Sequence, residues 1–234
     1  MNRRFLFASM ATLAFASMSS FILMASPATQ KAAKSSARAS KTASSAPQAA
    51  LTVDGVKDID PDKAFGSKNA AVLMETFTDF QCPACKQLYT TTLQRVMNNY
   101  VDTNKVYMVH RDFPLPMHAY SRIAASYARA ACHIDKCAAV EDVLFQNQEK
   151  WEMTGDVKGT VASALTPAEM KKVQALVDGG TLEPLIERDL QIGRAVPVNQ
   201  TPTTIIHTRD GQTYPVVGYV SYEVLTTLLN QLVK

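Results

Sequence analysis

Apolar residues recur along the chain at two different spacings, which separate predicted strands from predicted helices. Continuous apolar runs of strand length occur at residues 70–77 and 105–110. Between them, apolar positions recur every three or four residues, the spacing of one helical face. These positions are Leu88, Tyr89, Leu93, Val96, Met97 and Tyr100. A strand, a helix and a second strand are therefore predicted in that order.

The second half of the chain is predicted to be a helical block followed by a hairpin. Helical spacing dominates residues 116–194, where the segment from Thr166 to Glu169 has the pattern of a capping box. Strand patterns return at residues 203–208 and 212–217, joined by an Asp-Gly turn that is typical of a hairpin. A last helix is expected after Ser221.

The first fifty residues have a different composition from the rest. Residues 1–28 begin with two arginines, continue through an apolar run and end in small residues, a pattern typical of an export signal. If it is not cleaved, a run of about 20 apolar residues can also serve as a membrane anchor. Residues 29–50 contain Ala, Ser and Lys without large apolar side chains, which predicts a flexible tether. The folded domain is therefore expected at residues 51–234.

The charge of the folded domain excludes one class of partner. The whole chain has a formal net charge of +3, but six of its 24 basic residues lie in residues 1–50, which contain no acid. Residues 51–234 therefore carry 18 basic and 21 acidic residues, a net charge of −3. Because nucleic-acid binding needs clustered lysines and arginines, no nucleic-acid partner is expected.

The four cysteines form two closely spaced pairs, Cys82 with Cys85 and Cys132 with Cys137. An even number of cysteines behind an export signal indicates an oxidising compartment. Cys82 falls where the first strand passes into the helix, with Pro83 in the first turn. Since a helix N-terminus stabilises a thiolate, we predict that Cys82 is the reactive sulfur and Cys85 its less exposed partner.

Other roles for the cysteines stay open at this stage. One alternative is a zinc site formed by all four cysteines. The second pair, however, has four intervening residues where a C-x-x-C spacing is usual. Copper delivery would call for a methionine or histidine cluster beside Cys82 and Cys85, and none is present. Cys132 and Cys137 are predicted to form a structural disulfide in a turn between helices, with an auxiliary redox pair as the alternative.

Three stretches of the sequence resemble the DsbA-like thiol-disulfide oxidoreductases of the bacterial cell envelope, particularly the branch that includes BdbD. They read FTDFQCPAC, HRDFPLPMHAYSRIAASYARAA and TPTTIIHTRDGQTYPVVGY. The resemblance covers residues 51–234 and implies an α/β thioredoxin fold with an inserted helical block at about residues 116–194. It also implies a cis Pro202 opposite the cysteine pair, with the Thr201 backbone pairing with an extended substrate chain.

One position departs from the family pattern. Many relatives have a buried, proton-relaying glutamate six residues before the first cysteine, and this chain has Thr76 there. Glu75 is adjacent, but side chains alternate along a strand, so Glu75 is expected on the opposite face.

From these patterns we predict a periplasmic or envelope thiol-disulfide oxidoreductase that needs no organic cofactor. Its expected partners are exported proteins with cysteines and a membrane redox protein that reoxidises Cys82 and Cys85. We expect a monomer, anchored to the inner membrane if the N-terminal segment is retained. Residues 29–50 are too short and polar to form the dimerisation domain common in isomerases, so an oxidase is preferred. An isomerase or reductase and a non-enzymatic metal-binding protein are the alternatives.

Overall fold

The structure is a computed structural model that describes Val56 and residues 58–234. The predicted export signal at residues 1–28 and the predicted tether at residues 29–50 lie outside the described residues. Within the described part of the chain, no helix combines the length and the apolar character needed to cross a membrane.

A mixed five-stranded sheet lies at the centre of the fold, in the order β1-β3-β2-β4-β5. The strands are β1 (Ala64–Phe65), β2 (Val72–Thr78), β3 (Val106–Asp112), β4 (Thr203–Thr208) and β5 (Thr213–Val217). Strands β2 and β3 are parallel, and the other three pairings are antiparallel. Every residue of β2, β3 and β4 is buried, whereas β5 alternates between exposed and half-buried positions as an edge strand does.

The helix after β2 is unbroken but irregular in winding. It runs through α1 (Pro83–Leu88) and α2 (Gln94–Val96), with π-helical turns at Tyr89–Leu93 and Met97–Val101. The block between β3 and β4 contains α3 (Ser121–Cys132), α4 (Cys137–Gln146), α5 (Gln148–Thr154), α6 (Val157–Ala162), α7 (Pro167–Asp178) and α8 (Glu183–Ala195). The last helix, α9 (Tyr222–Leu232), is capped by the Ser221 side chain.

The two faces of the sheet are covered by different layers, because successive side chains of a strand point to opposite sides. Val72 and Met74 of β2 belong to a core shared with the irregular helix and α9. Phe77 belongs to a second core, which it shares with the helical block. Gly193 of α8 permits a close approach there, since a Cβ atom at this position would lie 2.5 Å from the Phe113 ring.

The predicted fold class, an α/β thioredoxin fold with a helical block, is confirmed. The predicted ends of β2, β3 and β5 lie within two residues of the observed ones, and both predicted ends of β4 coincide with them. The sequence analysis missed β1, because two residues are too short to show a periodic pattern. Cys82 lies between the end of β2, the central strand of the sheet, and the start of the irregular helix.

Candidate active site

Cys82 is the N-cap residue of α1 and has extended backbone angles, φ −82° and ψ 121°. Pro83 follows at the first helical position, where its missing N–H needs no partner. Cys82 is 7% exposed, Cys85 is fully buried one turn later, and both are free thiols. The two sulfurs therefore occupy different environments, as the sequence analysis anticipated.

The surroundings of Cys82 lower its pKa to about 6. The largest contribution is a hydrogen bond donated by the Cys85 side chain, and burial opposes it. The Thr201 hydroxyl and the backbone N–H groups of Ala84 and Cys85 also stabilise the thiolate. The Thr201 hydroxyl oxygen is buried and has no other partner among the described residues that would compete with the sulfur, although its geometry falls outside that of a hydrogen bond. Most Cys82 side chains are therefore thiolates at neutral pH.

Cys85 has the opposite tendency. Burial raises the pKa of Cys85 well above its ordinary value, and the hydrogen bond to Cys82 and the charge of its thiolate raise it further. The backbone N–H of Asp79 lies 3.5 Å from the Cys85 sulfur and opposes this shift. The arrangement combines a nucleophilic outer sulfur with a protonated inner sulfur.

Thr201 and Pro202 lie beside Cys82, although 119 residues separate Thr201 from it in the sequence. The Cys82 sulfur lies 3.4 Å from the Thr201 carbonyl oxygen, and the Thr201–Pro202 peptide bond is cis. The Gly218 N–H donates to the Pro202 carbonyl at 2.8 Å and so holds this loop against the hairpin. The hairpin thereby places an extended backbone segment next to the outer sulfur.

Asp79 organises the loop that carries the cysteines. Its buried carboxylate accepts hydrogen bonds from the Gln81 and Leu115 backbone N–H groups, each at 2.7 Å. His118 and Ser121 contact the same carboxylate through their side chains. Because four groups occupy its two oxygens, Asp79 acts as a turn-forming residue that joins the loops after β2 and β3.

Gln148 is a site residue that the sequence analysis missed. From α5, its side-chain amide donates to the Phe80 carbonyl at 2.6 Å and to the Cys82 carbonyl at 3.0 Å. Both acceptors precede the helical part of α1, so Gln148 holds in place the loop that leads into the cysteine pair. A buried glutamine in a helix belongs to no recognisable sequence motif, so only the packing of the helical block shows its role.

Cys132 and Cys137 are joined in a disulfide with an S–S distance of 2.03 Å, between the end of α3 and the start of α4. Sulfurs in a disulfide do not act as thiolate ligands, so this structure does not support the four-cysteine zinc site considered from the sequence. Glu141 lies near these two sulfurs, and this group is the single set of three potential metal ligands among the described residues.

Glu75 and Thr76 point to opposite faces of β2. Glu75 accepts a hydrogen bond from Arg111 at 2.9 Å and lies 2.9 Å from a ring nitrogen of His207. Thr76 instead accepts a hydrogen bond from Thr204 at 3.5 Å. Among the described residues, the polar contacts of the Glu75 side chain are with Arg111 and His207 and not with Cys82 or Cys85, so Glu75 does not take the position expected for a proton-relaying glutamate.

A chain of buried charges lies between the sheet and the helical block. Lys63 contacts Glu141 at 2.7 Å and Asp112 at 3.3 Å, and Arg129 contacts Asp112 at 2.7 Å. The chain also includes His110, Arg111, Asp189, Glu75 and His207. These residues come from seven different elements, counting the 3₁₀ turn Pro61–Lys63, so no local sequence pattern reveals the network.

The pKa of Cys82 leads to a prediction about its alkylation. We expect the rate of iodoacetamide modification to rise with pH through a midpoint of about 6, because the thiolate is the reacting form. Replacement of Cys85 by alanine removes the principal hydrogen-bond donor and should move the midpoint upward, toward about 8.5. Cys85→Ser keeps a donor and is the matched control. Equal midpoints for the serine and alanine variants would contradict this account.

This chain is similar to one family model and to known proteins named for disulfide chemistry. Residues 58–220 match the family model described as Thioredoxin. A Rickettsia bellii protein, provisionally named a protein-disulfide oxidoreductase, is 24% identical over 160 residues, which cover 66% of this chain and 60% of that protein. A Bacillus cereus protein, provisionally named disulfide bond formation protein D, is 23% identical over 151 residues, covering 62% of this chain and 69% of its own length. The chain thus spans about three fifths of the Rickettsia relative.

Solved structures share the fold at low sequence identity. Wolbachia pipientis alpha-DsbA1 superposes with a TM-score of 0.61 and 18% identity, covering 78% of this chain and 96% of its own. Oxidised BdbD from Bacillus subtilis has a TM-score of 0.59 and 18% identity, covering 73% and 92% of the two chains.

Proposed function

The chain belongs to the thioredoxin family and has the fold of its DsbA-like members, and we propose that it is a thiol-disulfide oxidoreductase that oxidises exported proteins. One observation carries the proposal. Cys82, with a pKa of about 6, lies at the N-terminus of α1 beside the buried, protonated Cys85. Such a pair is suited to forming and breaking disulfides near neutral pH.

The proposed reaction starts from the Cys82–Cys85 disulfide. A substrate thiolate attacks the Cys82 sulfur, the bond to Cys85 breaks, and Cys85 leaves as a thiolate that takes up a proton. A second substrate thiolate then attacks the substrate sulfur of the mixed disulfide and releases Cys82 as a thiolate. The substrate loses two protons and two electrons; the protein takes up both electrons and one proton, at Cys85, and the second proton goes to solvent because Cys82 remains a thiolate. The low pKa of Cys82 makes it a good leaving group.

The same pKa favours the oxidising direction. Contacts that stabilise the Cys82 thiolate stabilise the reduced protein relative to the disulfide, which makes the disulfide a stronger oxidant. Reoxidation is assigned to a membrane redox partner, as expected from the resemblance. The Cys132–Cys137 disulfide and the predicted export signal support a periplasmic or envelope location.

The surface near Cys82 supports an extended, unfolded substrate. Val217, which pairs with Thr203 one residue beyond Pro202, is 60% exposed, and Tyr219 is 39% exposed. Exposed apolar side chains of this kind favour contact with apolar segments that a folded protein would bury. We therefore propose exported chains that have not completed folding as substrates.

Equilibration with a glutathione buffer tests the proposed direction. We expect a reduction potential of about −180 mV or higher for Cys82–Cys85, measured by mass spectrometry of alkylated samples. A variant with both Cys132 and Cys137 replaced by alanine should give the same value, which assigns the measured potential to the other pair. A value near or below about −270 mV would identify a reductant and overturn the oxidase proposal.

A further inference from the structure

A cavity of about 590 Å³ lies outside the proposed redox site, between the irregular helix, α4 and the sheet. Its floor is formed by the buried side chains of Thr76, Met108, His110 and Glu141. Its size is that of a small-molecule site, for which volumes of roughly 300–1,000 Å³ are usual. The proposed redox site consists of Cys82, Cys85, Thr201 and Pro202, and none of these residues lines the cavity.

The walls of the cavity are mostly apolar. Phe65, Leu93 and Met97 form one side, and the small side chains of Ala138 and Ala139 leave the rim at α4 open. Both alanines are exposed, so the cavity opens to solvent at that point. An apolar ligand body therefore has both a surface to contact and an entrance.

Glu141 contributes an unused acceptor to this apolar space. Its Oε1 atom lies 2.7 Å from Lys63 Nζ and 2.7 Å from His110 Nδ1. Its Oε2 atom has no partner in the described part of the chain, although the residue is only 5% exposed. Burial favours the neutral acid, but His110 and Lys63 outweigh burial and lower the pKa of Glu141 to about 2. The cavity is thus lined by an ionised carboxylate with a free oxygen.

The charges around the cavity favour a cation. Asp102 and Asp142 line it together with Glu141, and no lysine or arginine of the described residues does so. Asp142 is occupied by the side chains of Gln94 and Gln146, at 2.9 Å and 2.7 Å. His110 is occupied by Thr78 and Glu141. Asp102 is exposed to solvent, so Glu141 Oε2 is the buried carboxylate oxygen that remains for a ligand.

We propose that the cavity binds a small primary amine with an apolar body. The ammonium group donates a hydrogen bond to Glu141 Oε2, and the body packs against Leu93 and Met97. This site is separate from the cysteine chemistry and does not depend on the proposed oxidase activity.

Titration with phenethylamine tests the proposal on the purified protein labelled at its methionine methyl groups. We expect saturable shifts of the Met97 and Met108 signals, which report from the cavity, with a dissociation constant on the order of 1 mM or below. Met117 and Met153, which are exposed elsewhere, should not respond. Phenethyl alcohol and phenylacetate are the neutral and anionic comparisons, and both should bind at least about tenfold more weakly.

Two variants separate the roles of charge and space. Glu141→Gln keeps an acceptor for Lys63 but removes the charge, and should weaken amine binding roughly tenfold or more. Ala139→Trp fills the entrance without touching the ion pairs, and should abolish binding even if the Glu141 variant fails to fold. Glu152→Gln removes an acid outside the cavity and should leave the affinity unchanged. Absent saturation, equal affinities for the three probes, or undiminished binding to the tryptophan variant would overturn the proposal.

Discussion

Replacement of Cys82 by serine is expected to abolish turnover of a reduced dithiol substrate, leaving only the background rate. Serine has no sulfur to form either the Cys82–Cys85 disulfide or the mixed disulfide, and the reaction has no other route through this site. The remaining buried thiol has a raised pKa and no protein partner to exchange with. The measurement is the rate of disulfide formation in a reduced peptide when oxidised protein is supplied.

Cys85→Ser is the informative companion variant. It keeps the reactive Cys82, whose thiolate should attack a disulfide-bonded peptide, expel one peptide thiolate and form a mixed disulfide that mass spectrometry detects, while turnover of the reduced substrate is lost. The Cys132→Ala, Cys137→Ala double variant should retain turnover because that pair is not part of the proposed reaction. Undiminished activity of the Cys82 variant would refute the mechanism.

Replacement of Arg129 by methionine is expected to lower the free energy of unfolding by about 3–5 kcal/mol at neutral pH, because it strands buried carboxylates. The Arg129 side chain is 2% exposed and contacts Asp60, Asp112 and Asp189. The 2.7 Å contact with Asp112 is an ion pair whose atoms are not aligned as a hydrogen bond. Methionine has a similar volume and supplies no charge. Urea unfolding of the reduced and oxidised proteins measures the loss.

The loss of unfolding free energy caused by Arg129→Met should depend on pH in a defined direction. Burial raises the pKa of Asp112, but Lys63 and Arg129 outweigh burial and lower it below its ordinary value of about 3.9. The stability contributed by this carboxylate is therefore present above that ordinary value and is lost as the pH falls through the folded-state pKa. The difference between wild type and Arg129→Met should accordingly shrink below about pH 4.

An exposed ion pair provides the control for Arg129. Arg95 pairs with Glu223 at 2.8 Å, with side-chain exposures of 51% and 70%. Arg95→Met should change the stability by no more than about 1 kcal/mol, because water screens exposed pairs. Equal losses for the two arginine variants would show that burial of the network does not determine its contribution.

The arrangement around Cys82 could be predicted because its causes are local. A buried strand ends at Thr78, and Pro83 starts a helix five residues later, so Cys82 must lie at a helix N-terminus. The Asp-Gly turn similarly fixes the hairpin of β4 and β5. Each of these features depends on backbone preferences within a few neighbouring residues.

The features that were missed depend on residues far apart in the sequence. Gln148 reaches the Cys82 carbonyl across 66 positions, and Lys63 reaches Glu141 across 78. The Asp79 carboxylate contacts Leu115 and His118, which lie 36 and 39 positions away. Each contact requires the helical block to be docked before the partners can be identified.

The sequence by itself determined the order of strands and helices, the strand-to-helix position of Cys82 and the hairpin, because hydrophobic periodicity and turn chemistry act over short stretches of chain. The fold class followed from the resemblance of three sequence stretches to a known family. Only the tertiary structure decided the contacts of Cys85 and Thr201 with the Cys82 sulfur, the buried charge network and the cavity beside Glu141. Desolvation and Coulomb interactions depend on which groups packing brings within a few ångströms, and spacing along the chain does not contain that information.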